Sequence, residues 1–196
     1  MNENAIGFIK KSLYIFAGIC IICFFIKKSI FGLDSIMDYL DIVEQAVTFT
    51  IPITILYGSL LWKFNPLEKI PRIMGDYSGI IEYKYLGQPG HKKTEVSITQ
   101  TLFAVKVKIK TNEITSNTIT GTFIKENDEY VLYYNYITNP QSQFGAQNPI
   151  QRGTCRLVPE DEVKSFRIAW TTKLRGIYWT SRQTVGDIYL TKDKNA

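Results

Sequence analysis

The sequence is poor in the residues that usually do chemistry. Its 196 residues include one histidine, His91, and three cysteines. His91 follows a Pro-Gly pair and precedes two lysines, which is the setting of a surface residue rather than of an acid–base catalyst. There is no nucleophile elbow, phosphate-binding glycine loop, dinucleotide fingerprint or metal-ligand cluster. No catalytic residue, cofactor or metal is therefore expected. Cys20 and Cys23 have C-x-x-C spacing, but they lie in an apolar run with no further Cys or His nearby, so they read as small apolar residues. Cys155 stands alone, and no disulfide framework follows. The length leaves room for one modest domain beside an anchor.

Charge is missing from residues 12–26, SLYIFAGICIICFFI, which Lys10-Lys11 and Lys27-Lys28 bracket. Fifteen such residues make about 22 Å of helix at about 1.5 Å per residue. Snorkelling lysines together with Phe8 and Ile9 extend this toward the bilayer thickness, giving a first span over about 8–27. A signal peptide would have a similar apolar length, but the second lysine pair and the lack of a small-residue cleavage pattern oppose it. A second span is expected over 46–62, with Pro52 kinking it near Thr48 and Trp62-Lys63 at its boundary. Ser35 and Asp38 resemble a capping box, so this helix should start before the lipid, leaving Asp34, Asp38, Asp41 and Glu44 in water. Lys10, Lys11, Lys63, Lys69 and Arg72 lie on one side, against Lys27 and Lys28 in the connecting loop. The positive-inside rule then places both termini of this multi-pass protein in the cytoplasm.

Residues 1–70 carry six lysines and six acidic residues, whereas 71–196 carry seventeen basic and twelve acidic ones. The net charge of +5 therefore resides in the second segment, which suits an anionic ligand or surface, though solvated faces give similar values.

From Gly75 onward, short alternating runs separated by turn signals replace any helical period. Strands are expected at 76–86, 94–102, 103–111, 118–125, 130–137, 154–158, 165–171, 174–180 and 187–191. Turns are expected at Gln88-Pro89-Gly90, Asn112-Glu113, Asn127-Asp128 and Pro159-Glu160-Asp161. The predicted fold is a two-helix transmembrane hairpin over 1–70, followed by a cytosolic all-β domain over 71–196. That domain is an antiparallel up-and-down β-barrel of about eight strands, able to hold one small ligand. A loop over 139–149 could cover its mouth.

Strand parity separates inside from outside. Phe103, Val105, Val107 and Ile109 share one face and Lys106, Lys108 and Lys110 the other. The inward sets are Tyr77, Ile81 and Tyr83; Val96, Ile98 and Gln100; Leu132, Tyr134 and Tyr136; and Tyr178, Thr180 and Arg182. An unpaired buried polar group costs about 1–3 kcal/mol, so these polar tips need partners. One arrangement is a core plugged by tyrosines, with Arg182 paired to a carboxylate. The other is a polar cavity in which aromatic faces stack on bases, Gln100 reads a base edge and Arg182 meets phosphate.

Several stretches are shared with a known family: Gly75-Asp76-Tyr77-Ser78-Gly79, Ile98-Thr99-Gln100-Thr101, Leu132-Tyr133-Tyr134-Asn135-Tyr136 with Asn139-Pro140, Arg152-Gly153-Thr154, and residues 174–182 with Gly186. Their order behind a two-span N-terminus resembles the two-transmembrane β-barrel effectors that accompany cGAS/DncV-like nucleotidyltransferases in the bacterial anti-phage system CBASS. The resemblance implies a multi-pass protein of the bacterial inner membrane whose barrel binds a cyclic dinucleotide, after which the membrane helices form a homo-oligomer, disrupt that lipid bilayer and kill or arrest the infected cell. No DNA or RNA polymer is implied as a partner. Carried onto this chain, the ligand site comprises Gln100, Tyr134, Tyr136, Tyr178, Thr180 and Arg182, with Arg152 as a further candidate. The family pattern has a histidine before the glycine where this chain has Gln151-Arg152-Gly153.

Two other classes fit parts of the sequence. A membrane-anchored carrier of lipids or hydrophobic metabolites would have a dry aliphatic cavity. An enzyme would need a convergent acid–base pair inside the barrel.

Overall fold

The computed structural model describes residues 3–30, 32–33, 35–85, 87–146, 148–160 and 170–193. It divides into two compact units, Met1–Phe64 and Asn65–Ala196.

The first unit is a helical hairpin of α1 (Glu3–Ile30) and α2 (Ile36–Ser59), ending in a 3₁₀ turn at Leu61–Phe64. The capping box forms as expected: Ser35 Oγ accepts from Met37 N at 3.2 Å, and Asp38 Oδ2 accepts from Ser35 N at 2.9 Å. Residues Ile42, Ala46, Thr50, Thr54 and Gly58 recur every fourth position as the buried stripe of α2, which packs on α1. The hydroxyls on that stripe are satisfied within the helix, Thr50 Oγ1 on Ala46 O at 2.6 Å and Thr54 Oγ1 on Thr50 O at 2.7 Å. No polar tip is thereby offered to an apolar surrounding.

Long apolar side chains such as Tyr14, Phe25 and Ile51 point outward. Stretches Ile6–Ile30 and Ile36–Ser59 are long and apolar enough to cross a membrane. The first is longer than its uncharged core suggests, because Lys10, Lys11, Lys27 and Lys28 are helical too. The second starts ten residues before the expected 46 and stops short of Trp62, which lies in the 3₁₀ turn. The acidic residues after the connecting loop do more than face water. Lys27 Nζ lies 3.0 Å from Asp38 Oδ1 and 2.8 Å from Asp41 Oδ2, tying the end of α1 to the start of α2. Asp34 lies outside the described residues.

The second unit is a closed antiparallel barrel of eight strands, each paired with its sequence neighbour and the last with the first. They are β1 (Gly75–Tyr85), β2 (Gln88–Gln100), β3 (Val105–Lys110), β4 (Ile114–Glu126), β5 (Glu129–Pro140), β6 (Arg152–Pro159), β7 (Lys173–Thr180) and β8 (Val185–Lys192). Alternation holds: Val105, Val107 and Ile109 are buried while Lys106, Lys108 and Lys110 are exposed. Closure removes the strand edges that would otherwise invite pairing with another chain.

Three expectations are corrected. Gln88-Pro89-Gly90 is the start of β2 rather than a turn; Tyr85 pairs with Gln88, so the connection is only two residues, with Gly87 at φ +81°. Glycine accepts that left-handed backbone without a side-chain clash. Phe103 does not begin a strand, because Thr101 Oγ1 accepts from Ala104 N at 3.0 Å and closes a turn over it. β4 starts four residues before the expected 118, at Ile114, and is bulged between Thr118 and Thr120. There Thr118 Oγ1 accepts from Val107 N and donates to Val107 O, at 2.8 and 2.9 Å, standing in for the ladder. The expected strand over 165–171 lies outside the described residues as far as 169; Trp170 bridges Arg72 in parallel.

The two ends of the barrel differ. At the end where the chain enters, Tyr77 Oη lies 2.8 Å from Ile73 O and 3.1 Å from Thr171 O. Gln100 completes this closure: Oε1 accepts from Ile73 N at 2.9 Å and Nε2 donates to Pro71 O at 2.8 Å. Ile73, Val96, Ile98, Val107, Leu132, Leu157 and Leu190 fill the space behind it.

Candidate functional site

A cavity of about 230 Å³ occupies the opposite half of the barrel. Its rim consists of the connections between β1 and β2, β3 and β4, β5 and β6, and β7 and β8. Strand pairing sends all four to one end, because consecutive antiparallel strands return alternately to the two ends.

Four tyrosines line the cavity together with Ile81, Ile109, Ile114 and Ile188. Tyr134 and Tyr136 alternate inward on β5, with ring centroids 5.9 Å apart, and Tyr178 faces them from β7. Tyr83 closes the wall from β1. Three of these rings lie over glycines that are their register partners on adjacent strands: Tyr136 over Gly153, Tyr178 over Gly186 and Tyr83 over Gly90. A side chain at any of the three glycines would collide with the ring. The missing Cβ lets each phenol lie against the wall instead of filling the lumen, which keeps a tyrosine-rich barrel open.

Burial pushes the phenols of Tyr134, Tyr136 and Tyr178 above the ordinary tyrosine value. Burial likewise pushes the Cys155 thiol up to about 12. All four groups are thus neutral at physiological pH, able to donate hydrogen bonds but not to act as phenolate or thiolate nucleophiles. Tyr134 Oη is fully buried with no hydrogen-bond partner among the described residues, and the Cys155 thiol lies close enough to interact with it. An orphaned hydroxyl costs about 1–3 kcal/mol. Tyr134→Phe is therefore expected to stabilise the barrel by about 1 kcal/mol, raising its melting temperature by a few degrees. A lowered melting temperature would mean that the hydroxyl is already paired.

Arg182, in the β7–β8 turn, and Lys92, on β2, supply positive charge to the lining. Lys92 Nζ lies 5.6 Å from the Tyr83 ring centroid and 2.6 Å from Glu113 Oε2. Thr180, Thr184, Thr138, Ser116, Asn148 and Gln151 add neutral polar groups. Among the described residues no carboxylate or imidazole lines the cavity, and no group of three or more His, Cys, Asp or Glu could hold a metal. This surface can stack planar rings, donate hydrogen bonds and compensate an anion. It offers no convergent acid–base pair.

The residues singled out from sequence separate into three places. Tyr134, Tyr136, Tyr178, Thr180 and Arg182 meet at the cavity. Gln100 is buried at the other end of the barrel, with its amide spent on Ile73 and Pro71. Arg152 is exposed and borders an outer groove with Ile119, Asn135 and Trp179. Lys92 was not singled out, although it shares inward parity with Val96, Ile98 and Gln100 on β2. Asn148 and Gln151 come from the loop expected to cover the mouth and from the residues just after it, where no periodic signal marks orientation.

Residues 68–192 match the family described as Cap15, cyclic dinucleotide receptor domain. A curated relative from Staphylococcus schleiferi, CD-NTase-associated protein 15, is 40% identical over 161 residues, which covers 81% of this chain and 82% of the relative.

Proposed function

The chain belongs to the Cap15 family, and on that premise we propose that it is a CBASS effector whose barrel binds a cyclic dinucleotide in the tyrosine-walled cavity. The observation that carries this reading is the lining itself: neutral phenols and two cations, with no carboxylate among the described residues. Rings of tyrosine stack on bases, and guanidinium and ammonium groups compensate phosphodiesters. The site we propose comprises Tyr134, Tyr136, Tyr178, Thr180 and Arg182. The lining speaks for ligand binding rather than catalysis, and its mixture of hydroxyl, amide and charged groups disfavours a lipid carrier.

The signal would come from a cGAS/DncV-like nucleotidyltransferase. The helical hairpin spans the bacterial inner membrane with both termini in the cytoplasm, in keeping with five basic residues flanking its outer ends and two, Lys27 and Lys28, in the last turn of α1 before the connecting loop. Ligand binding then favours an oligomer of the membrane helices that disrupts the bilayer. A ligand shifts such an equilibrium only as far as it binds the assembled state more tightly than the resting one.

Calorimetric titration of the protein in detergent with cyclic dinucleotides tests the sensing step. At least one should bind with micromolar affinity or better, and none binding would sink the reading. Arg182→Ala should weaken binding about tenfold, the loss of one charge-assisted contact, while leaving the melting temperature unchanged. Unchanged affinity would remove Arg182 from the site.

A further inference from the structure

Lys92 is a cavity cation whose charge is already engaged. Its Nζ is 2.6 Å from Glu113 Oε2, and the same carboxylate oxygen accepts from Asn148 Nδ2 at 2.7 Å. Glu113 lies in the β3–β4 turn, outside the cavity lining, and its backbone carbonyl accepts from Gln141 N at 2.9 Å. One residue thus joins β2, the β3–β4 turn and the β5–β6 loop around the rim. The hydrogen bond from Lys92 is the main cause holding the Glu113 carboxyl below the usual range, so it is ionised at neutral pH.

We propose that Lys92 is a phosphate-recognising cation of this cavity and that Glu113 is its resident counter-ion. An incoming phosphate displaces the carboxylate and, through Asn148, releases the β5–β6 loop. The inference rests on the ligand class proposed above.

Size supports it first. At about 230 Å³ the cavity is below the roughly 300–1,000 Å³ of small-molecule sites, so the rim has to move to admit two nucleotides. Charge supports it next. Glu113 and a phosphate compete for one ammonium in a half-buried setting, and whichever loses is left uncompensated unless it reaches water. Glu113 can reach water, since its side chain is 28% exposed. Finally, Lys92 does not depend on Glu113 for its position, because the Tyr83 ring supports the ammonium independently at 5.6 Å.

The test uses the full chain in detergent, titrated with cyclic di-AMP, cyclic di-GMP and cyclic GMP-AMP. Glu113→Gln should bind the preferred nucleotide about tenfold more tightly, and Lys92→Met about tenfold more weakly, as expected for charged pairs in a partly desolvated site. In the double variant, the gain from Glu113→Gln should shrink below about threefold, because the two residues are energetically coupled. Amide exchange in residues 141–146 and 148–151 should accelerate in Glu113→Gln without nucleotide. Lys92→Gln serves as a second neutral variant if Lys92→Met melts early. A nucleotide that binds the unaltered chain but gains nothing from Glu113→Gln removes the counter-ion alone, and one that binds Lys92→Met and Lys92→Gln normally removes Lys92. If none of the three binds the unaltered chain, the ligand class falls and this inference falls with it.

Discussion

Gly186→Ala is expected to lower the melting temperature of the barrel by about 10 °C, whereas Gly90→Ala should leave it within about 2 °C and weaken cyclic-dinucleotide binding about tenfold. Both glycines sit beneath a tyrosine of the cavity wall, yet their surroundings differ. The three atoms nearest a Cβ at Gly90 all belong to the Tyr83 ring, Cζ at 2.5 Å, Oη at 2.7 Å and Cε2 at 2.8 Å. The ring can rotate off that position at little cost to the fold, but it then leaves the wall and enters the lumen. A Cβ at Gly186 runs into the backbone carbonyl of Glu82 as well as the Tyr178 ring. A backbone oxygen cannot step aside without prising β1 from β8, the seam that closes the barrel. Overpacking of this kind costs about 3 kcal/mol, near the top of the usual range. Circular dichroism melts and calorimetry separate the two effects. A Gly90→Ala variant that binds normally would mean that Tyr83 does not shape the site.

The second large effect is expected of Gln100→Leu. Its amide links the inward face of β2 to the chain entering the barrel, serving Ile73 N and Pro71 O at once. Leucine fills similar space but leaves a buried donor and a buried acceptor unpaired, each costing about 1–3 kcal/mol. A loss of about 3 kcal/mol, or about 10 °C in melting temperature, should follow, with nucleotide affinity per folded molecule unchanged. The opposite pattern, normal melting and weakened binding, would return Gln100 to the ligand site.

Parity puts Gln100 on the inward face of β2, since inward parity is a local property with period two. Its distance along the barrel axis is not local, and that distance separates a structural clamp from a ligand contact. Lys92, eight residues earlier on the same strand, has the same parity and lies at the other end, in the cavity. Tyr134, Tyr136 and Tyr178 were legible as inward phenols. The glycines that hold their rings against the wall belong to neighbouring strands, and no pattern within one strand pairs them.

The sequence by itself determined a division into an apolar helical hairpin and an alternating β-domain, because apolar runs and strand parity are written in consecutive residues. It also determined the capping box at Ser35 and the turn at Asn127-Asp128, where local chemistry suffices. The scarcity of histidine, cysteine and catalytic motifs makes binding a better expectation than catalysis. Only the tertiary structure decided which end of the barrel is plugged, which inward side chains share the cavity, and that Glu113 and Asn148 converge on one side of Lys92. Those outcomes depend on register and closure between strands far apart in the chain, where each residue's environment is set by partners that its own neighbourhood does not specify.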